Sequence, residues 1–179
     1  NLVYNNRATG ISIMTMGHDE PREDIEIRNN TVGYNGSPGH WSGKTGGINI
    51  MSSNVKNVRV HHNIFYRNYG YEMASFDDPE SGPDLLQQKG IRFYDNLSTQ
   101  FHDVTEPPGI YGVQVYAIPG VNTLFADPEF ADPEGFNFTL LYDSPARHPE
   151  QKENIRYGAI TGEFIQITEM VKGKRRKSK

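Results

Sequence analysis

Short runs of alternating apolar and polar residues recur along this chain at a fixed spacing. Ile25-Glu26-Ile27-Arg28-Asn29-Asn30, Val58-Arg59-Val60-His61-His62-Asn63 and Ile91-Arg92-Phe93-Tyr94-Asp95-Asn96 share one template: apolar, any, apolar, two residues, Asn. The closing Asn residues stand 33 positions apart, and Asn1 with Leu2-Val3 fits the end of an earlier copy, 29 positions before Asn30. A second template lies between these copies. Gly10-Ile-Ser-Ile-Met14, Gly47-Ile-Asn-Ile-Met51, Gly70-Tyr-Glu-Met-Ala74 and Gly112-Val-Gln-Val-Tyr116 each read Gly, apolar, polar, apolar. Period-two alternation is the signature of a strand with one buried face. Each repeat therefore predicts two short strands and a third after the Asn.

Alternation places Ile25/Ile27, Val58/Val60 and Ile91/Phe93 on one face, and a coil of three short strands cannot bury that face unless it wraps inward. Stacking the coils completes the burial, with equivalent strands pairing in parallel and like residues over like residues. Asn suits a fixed turn because it tolerates left-handed backbone, and its amide can hydrogen-bond the Asn of the next coil to form a ladder. The alternative is an antiparallel sandwich with Asn in hairpin turns. Two templates recurring in the same order favour the solenoid.

Composition sharpens this. Ile and Val number 24 against 14 Leu and Ala, a strand-favouring inversion of ordinary usage, and 18 Gly with 15 Asn supply turns. The absence of Cys among the 179 residues excludes disulfide scaffolds, cysteine nucleophiles and Cys-ligated zinc. No apolar run is long enough to span a bilayer. The net charge of −4 conceals a split, because six of the 18 basic residues lie in the last nine, VKGKRRKSK. Residues 1–170 carry 12 basic and 22 acidic side chains, a net of −10. An acidic body argues against a nucleic-acid partner, and the basic end reads as a solvated, disordered tail. The pattern opens mid-repeat at Asn1, so an N-terminal part of the same solenoid is expected upstream.

The two strand templates with their Asn turn resemble the right-handed parallel β-helix proteins of the pectin-lyase-like superfamily. Ala126-Asp-Pro-Glu-Phe130-Ala-Asp-Pro133, Phe136-Asn-Phe138-Thr-Leu140, Asp143-Ser-Pro-Ala146 and Tyr157-Gly-Ala-Ile160 are similar to the closing stretch of such proteins. The resemblance implies coils over residues 1–125, a closing coil and C-terminal cap over 126–162, and a terminal segment over 163–179. It implies a polysaccharide or oligosaccharide partner in a groove along one parallel sheet, and an extracellular or periplasmic location. The activities it spans include polysaccharide lyase and glycoside hydrolase. A noncatalytic glycan-binding or adhesin-like protein is the alternative, since one fold serves many chemistries.

The long connections flank the Gly-led strands, so their outward middle residues, Ser12, Asn49, Glu72 and Gln114, are expected to floor such a groove. Glu72 is the one carboxylate in that row and the first candidate for general acid or base. Hydrolysis needs a second carboxylate about 5–5.5 Å away for retention or about 6.5–9.5 Å for inversion, and the loops offer Asp77, Asp78 or Asp19. A lyase instead needs a base beside the substrate carboxylate, for which Lys44, His40 and His18 are candidates. Asp77, Asp78, Glu80 and Asp84 supply hard oxygen ligands for Ca²⁺, without EF-hand spacing, or else form an acidic solvated loop. No organic cofactor is called for. Trp41, in a Gly/Ser/Pro loop, is placed to stack on a sugar ring, with Tyr69, Tyr71 and Tyr111 nearby and His18 as a further contact. His61-His62 read as a structural pair more readily than as metal ligands.

Overall fold

The computed structural model describes residues 1–14, 22–37, 46–50, 54–77, 88–99, 114–117, 120–147 and 157–159, with the backbone alone for 75–77 and 114–117. The named elements of the described residues are strands, and all but the last two stack into a parallel β-helix. Sheet 1 comprises β1 (Leu2–Tyr4), β4 (Thr31–Gly33), β7 (Ile64–Tyr66), β10 (Leu97–Ser98) and β12 (Leu124–Phe125), in that order. Sheet 2 comprises β2 (Ile11–Ile13), β5 (Ile48–Ile50), β8 (Met73–Asp77) and β11 (Gln114–Ala117). Sheet 3 comprises β3 (Arg22–Arg28), β6 (Val55–His61) and β9 (Arg92–Tyr94). All pairings within these sheets are parallel except β8 with β11, which is antiparallel.

Register makes the interior. Val3, Val32 and Phe65 lie over one another in sheet 1, Ile27, Val60 and Phe93 in sheet 3, and Ile11, Ile48 and Met73 in sheet 2. These columns meet in one apolar core, fully buried at Val32, Ile48, Val60 and Phe65. Each such side chain contributes roughly 1.5–3 kcal/mol of transfer free energy.

The predicted Asn turn divides its two tasks between neighbouring residues. The left-handed backbone falls on Asn29, His62 and Asp95, with φ of 52°, 56° and 49°. The ladder falls on the residue after each. The side-chain amide of Asn1 donates to Asn30 Oδ1 (2.8 Å), Asn30 to Asn63 (3.0 Å) and Asn63 to Asn96 (3.1 Å). Buried backbone is satisfied by the same groups, since the Asn30 and Asn63 N–H groups donate to the next Asn Oδ1 at 3.0 Å.

The C-terminal stretch forms a hairpin, β13 (Phe130–Asp132) with β14 (Asn137–Leu140). It lies on the flank of the solenoid, against the outer face of sheet 1. There Phe130, Phe138, Leu140, Ala146 and Tyr157 bury Ile64, Tyr66 and Leu97 in a second apolar cluster. Gly158 N–H donates to His62 O (2.9 Å) and Ala159 N–H to Thr31 Oγ1 (3.0 Å), tying this stretch to two coils.

Candidate functional site

A second Asn ladder fixes the corner between sheets 1 and 2. Asn6 donates through its side chain to Asn35 Oδ1 (2.8 Å), and Asn35 to Asn68 Oδ1 (2.9 Å). Each coil thus carries the pair Asn-x4-Asn: Asn1/Asn6, Asn30/Asn35 and Asn63/Asn68. In the fourth copy, Asn96 is followed five positions later by Phe101, which has no amide. Glu72 takes the missing place. Its Oε2 accepts a short hydrogen bond from Asn68 Nδ2, and its Oε1 accepts from Asn68 N–H (3.4 Å) and Thr99 Oγ1 (3.1 Å). The carboxyl is 3% exposed. Burial pushes it up to about 7, opposed by the hydrogen bonds from Asn68 and Thr99.

This placement differs from the sequence expectation. Ile48 pairs with Met73 and Asn49 with Ala74, so the third strand of sheet 2 is displaced by two residues from the Gly-led alignment. Glu72 therefore precedes β8, and Ala74 stands in the row that Ser12 and Asn49 occupy. Ser12 is exposed, whereas Asn49 is wholly buried, donating to Thr9 Oγ1 (3.0 Å) and accepting from Ser12 Oγ (3.3 Å). Gln114 pairs with Asp77 across the antiparallel edge, which places two nominated residues opposite each other at backbone level. Tyr71 is 4% exposed and part of the wall rather than its surface. His18, Asp19, His40, Trp41, Lys44, Asp78, Glu80, Asp84 and Tyr111 lie outside the described residues. His61 is a satisfied structural residue, with Nε2 3.0 Å from Glu26 Oε1 and its ring stacked on Tyr94 at 4.8 Å.

Among the described residues one further surface feature stands out, and of its lining only Tyr69 was among the sequence candidates. A groove of about 600 Å³ runs beside the second ladder, between the solenoid corner and the C-terminal hairpin. Its solenoid wall is a column of left-handed turn residues, Asn5, Tyr34 and Arg67, with φ of 55°, 53° and 48°. Its opposite wall is Glu134 and Phe136 from the hairpin, and Tyr69 and Gly70 also line it. No family model, no curated protein and no solved structure matches this chain. The site's meaning rests on its own geometry.

Polar groups bridge the groove. Tyr34 Oη donates to Glu134 Oε1 at 3.0 Å, and the Arg67 guanidinium lies 3.3 Å from the same oxygen and 5.2 Å from the centre of the Tyr66 ring. Burial and the Glu134 contact raise the Tyr34 phenol, so it stays protonated and remains a donor. Aromatic faces flank these groups. Tyr69 and Phe136 are 45% and 42% exposed, and Phe136 packs against Tyr4 at 5.1 Å and edge-on to Tyr34 at 6.3 Å. Phe136 itself has a φ of 59°. For a bulky residue that backbone costs roughly 1–2 kcal/mol. The hairpin tip thus presents a partly exposed ring at the groove, on a strained backbone and packed on Tyr4 and Tyr34.

A signal for one wall was present in the sequence. Asn5, Tyr34 and Arg67 precede the second-ladder Asn residues at the same 29- and 33-residue spacing. The other wall was not legible, because Glu134 meets Tyr34 across 100 residues through a hairpin whose docking face no local pattern specifies.

Proposed function

We propose that this chain is a glycan-binding stretch of a pectin-lyase-like parallel β-helix, working outside the cytoplasm on an extended polysaccharide. The observation that carries this reading is the groove beside the second ladder. Exposed aromatic rings flank an Arg–Glu–Tyr hydrogen-bonding cluster on a rigid scaffold, and a sugar ring needs an apolar face for its C–H groups and oriented donors and acceptors for its hydroxyls. Preorganised turns reduce the ordering cost of binding. Glu72, the leading acid/base candidate, is buried and engaged in closing a ladder, which favours binding over turnover.

An enzymatic reading has one observation in its favour: a carboxyl held near 7 has the proton affinity of a general acid. Affinity electrophoresis in polysaccharide gels, paired with assays for reducing ends and for unsaturated uronate absorbance with and without Ca²⁺, separates the two. Retardation without product is expected. Product formation that Glu72→Gln abolishes would establish the enzyme instead, and no retardation by any polysaccharide would overturn glycan binding.

A further inference from the structure

We infer that the glycan taken by the groove beside the second ladder is uncharged and is held there through a vicinal diol; the inference rests on the glycan-binding reading above. Three observations carry it. Among the described residues that line the groove Arg67 is the one cation, and its charge is already matched by Glu134 at 3.3 Å. Among the described residues a uronate carboxylate would meet no uncompensated positive charge and would sit beside an anion, within a body of net −10 over residues 1–170.

The pair also has the right complementarity for neutral hydroxyls. Tyr34 and Arg67 both bind Glu134 Oε1, and Oε2 accepts no hydrogen bond from the described residues. Guanidinium N–H donors and a carboxylate acceptor therefore stand side by side. Adjacent hydroxyls each donate and accept, so one can receive from Arg67 while its neighbour donates to Glu134. The third observation is the rim. Phe136 and Tyr69 line the same groove as this fork and are partly exposed, and packing on Tyr4 and Tyr34 holds the Phe136 ring in place, as stacking on a pyranose ring requires.

The test uses all 179 residues. Affinity electrophoresis and titration calorimetry are run against neutral polymers (β-glucan, xylan and mannan types) and against polygalacturonate and alginate. Retardation by a neutral polymer, insensitive to added salt, is the expected result. Periodate oxidation of that polymer, which cleaves vicinal diols, should weaken binding at least about tenfold, and Glu134→Gln and Phe136→Ala should each do so by roughly tenfold, measured at a temperature where circular dichroism shows each variant fully folded. Retention by the polyuronates alone, or equally by both classes, overturns the uncharged-glycan inference while leaving glycan binding standing. Retention by neither overturns both. Undiminished binding by both variants, or to the periodate-treated polymer, overturns the assignment to this fork.

Discussion

At the scale of single residues, the two ladders show how a polar side chain becomes part of a core. Asn63 is fully buried, accepts from the Asn30 backbone and side chain, and donates to Ile27 O, His61 O and Asn96 Oδ1. Asn63→Ala removes these together and leaves buried groups unpaired, so it should cost about 3 kcal/mol by urea denaturation. The same change at Asn1, which is exposed and gives the ladder one side-chain hydrogen bond to Asn30, should cost less than about 1 kcal/mol in this chain. Glu72 adds a pH dependence that no Asn has. Its folded carboxyl, at about 7, lies above the ordinary value of 4.5. Between those values the folded chain keeps a proton that the unfolded chain has lost, so stability falls as pH rises through that window and levels off above it. The loss is on the order of 3 kcal/mol. Gln supplies a neutral carboxamide in the same place, as Asn does elsewhere in the ladder. Between pH 4.5 and 8, wild type should therefore lose stability relative to Glu72→Gln; parallel pH profiles would show that the carboxyl titrates normally.

At the scale of strands and turns, the shift of β8 shows why one template misled. Gly47 and Gly70 head similar strings but serve different physical needs. A Cβ on Gly47 would lie 1.9 Å from the Glu72 carbonyl oxygen, so this glycine permits close approach of two backbones. Gly70 has a φ of 76° and turns the chain. Gly47→Ala must push sheet 2 apart and should cost about 3 kcal/mol, whereas Gly70→Ala should cost about 1 kcal/mol, measured by the same denaturation series. Comparable costs would restore the equivalence of the two strings. The strands whose apolar pairs face inward, Ile25/Ile27, Val58/Val60 and Phe93, were legible because burial imposes period two wherever a coil stacks. The Asn30/Asn63/Asn96 ladder was legible for the same reason of stacking, although the left-handed residue proved to be its predecessor. Glu72's true place was not, because the only sequence sign of a gap in the ladder is that the fourth Asn-x4-Asn copy reads Phe at position 101, far from Glu72 along the chain. Only side-chain geometry shows which carboxylate reaches it.

At the scale of the whole molecule, the C-terminal hairpin changes what kind of solenoid this is. A simple stack couples each coil only to its neighbours, so its coils can unfold in succession. Here one hairpin touches several coils at once. Phe136 and Phe138 meet Tyr4 at 5.1 and 5.4 Å in the first coil, Phe138 and Glu134 meet Tyr34 and Arg67 in the next two, and Phe130 packs on Tyr66 at 5.1 Å. These contacts make the flank of sheet 1 a shared core, and breaking one coil away exposes apolar surface belonging to others. A chain ended after Ala126 keeps the stacked strands of all three sheets but uncovers Ile64, Tyr66 and Leu97. It should bind a hydrophobic dye, unfold with a smaller urea m-value, and show near- and far-ultraviolet circular dichroism transitions that no longer coincide. The intact chain should give one coincident transition. If the shortened chain unfolds just as steeply and coincidently, coil-to-coil stacking alone supplies the cooperativity, and the hairpin serves the groove it walls rather than the fold.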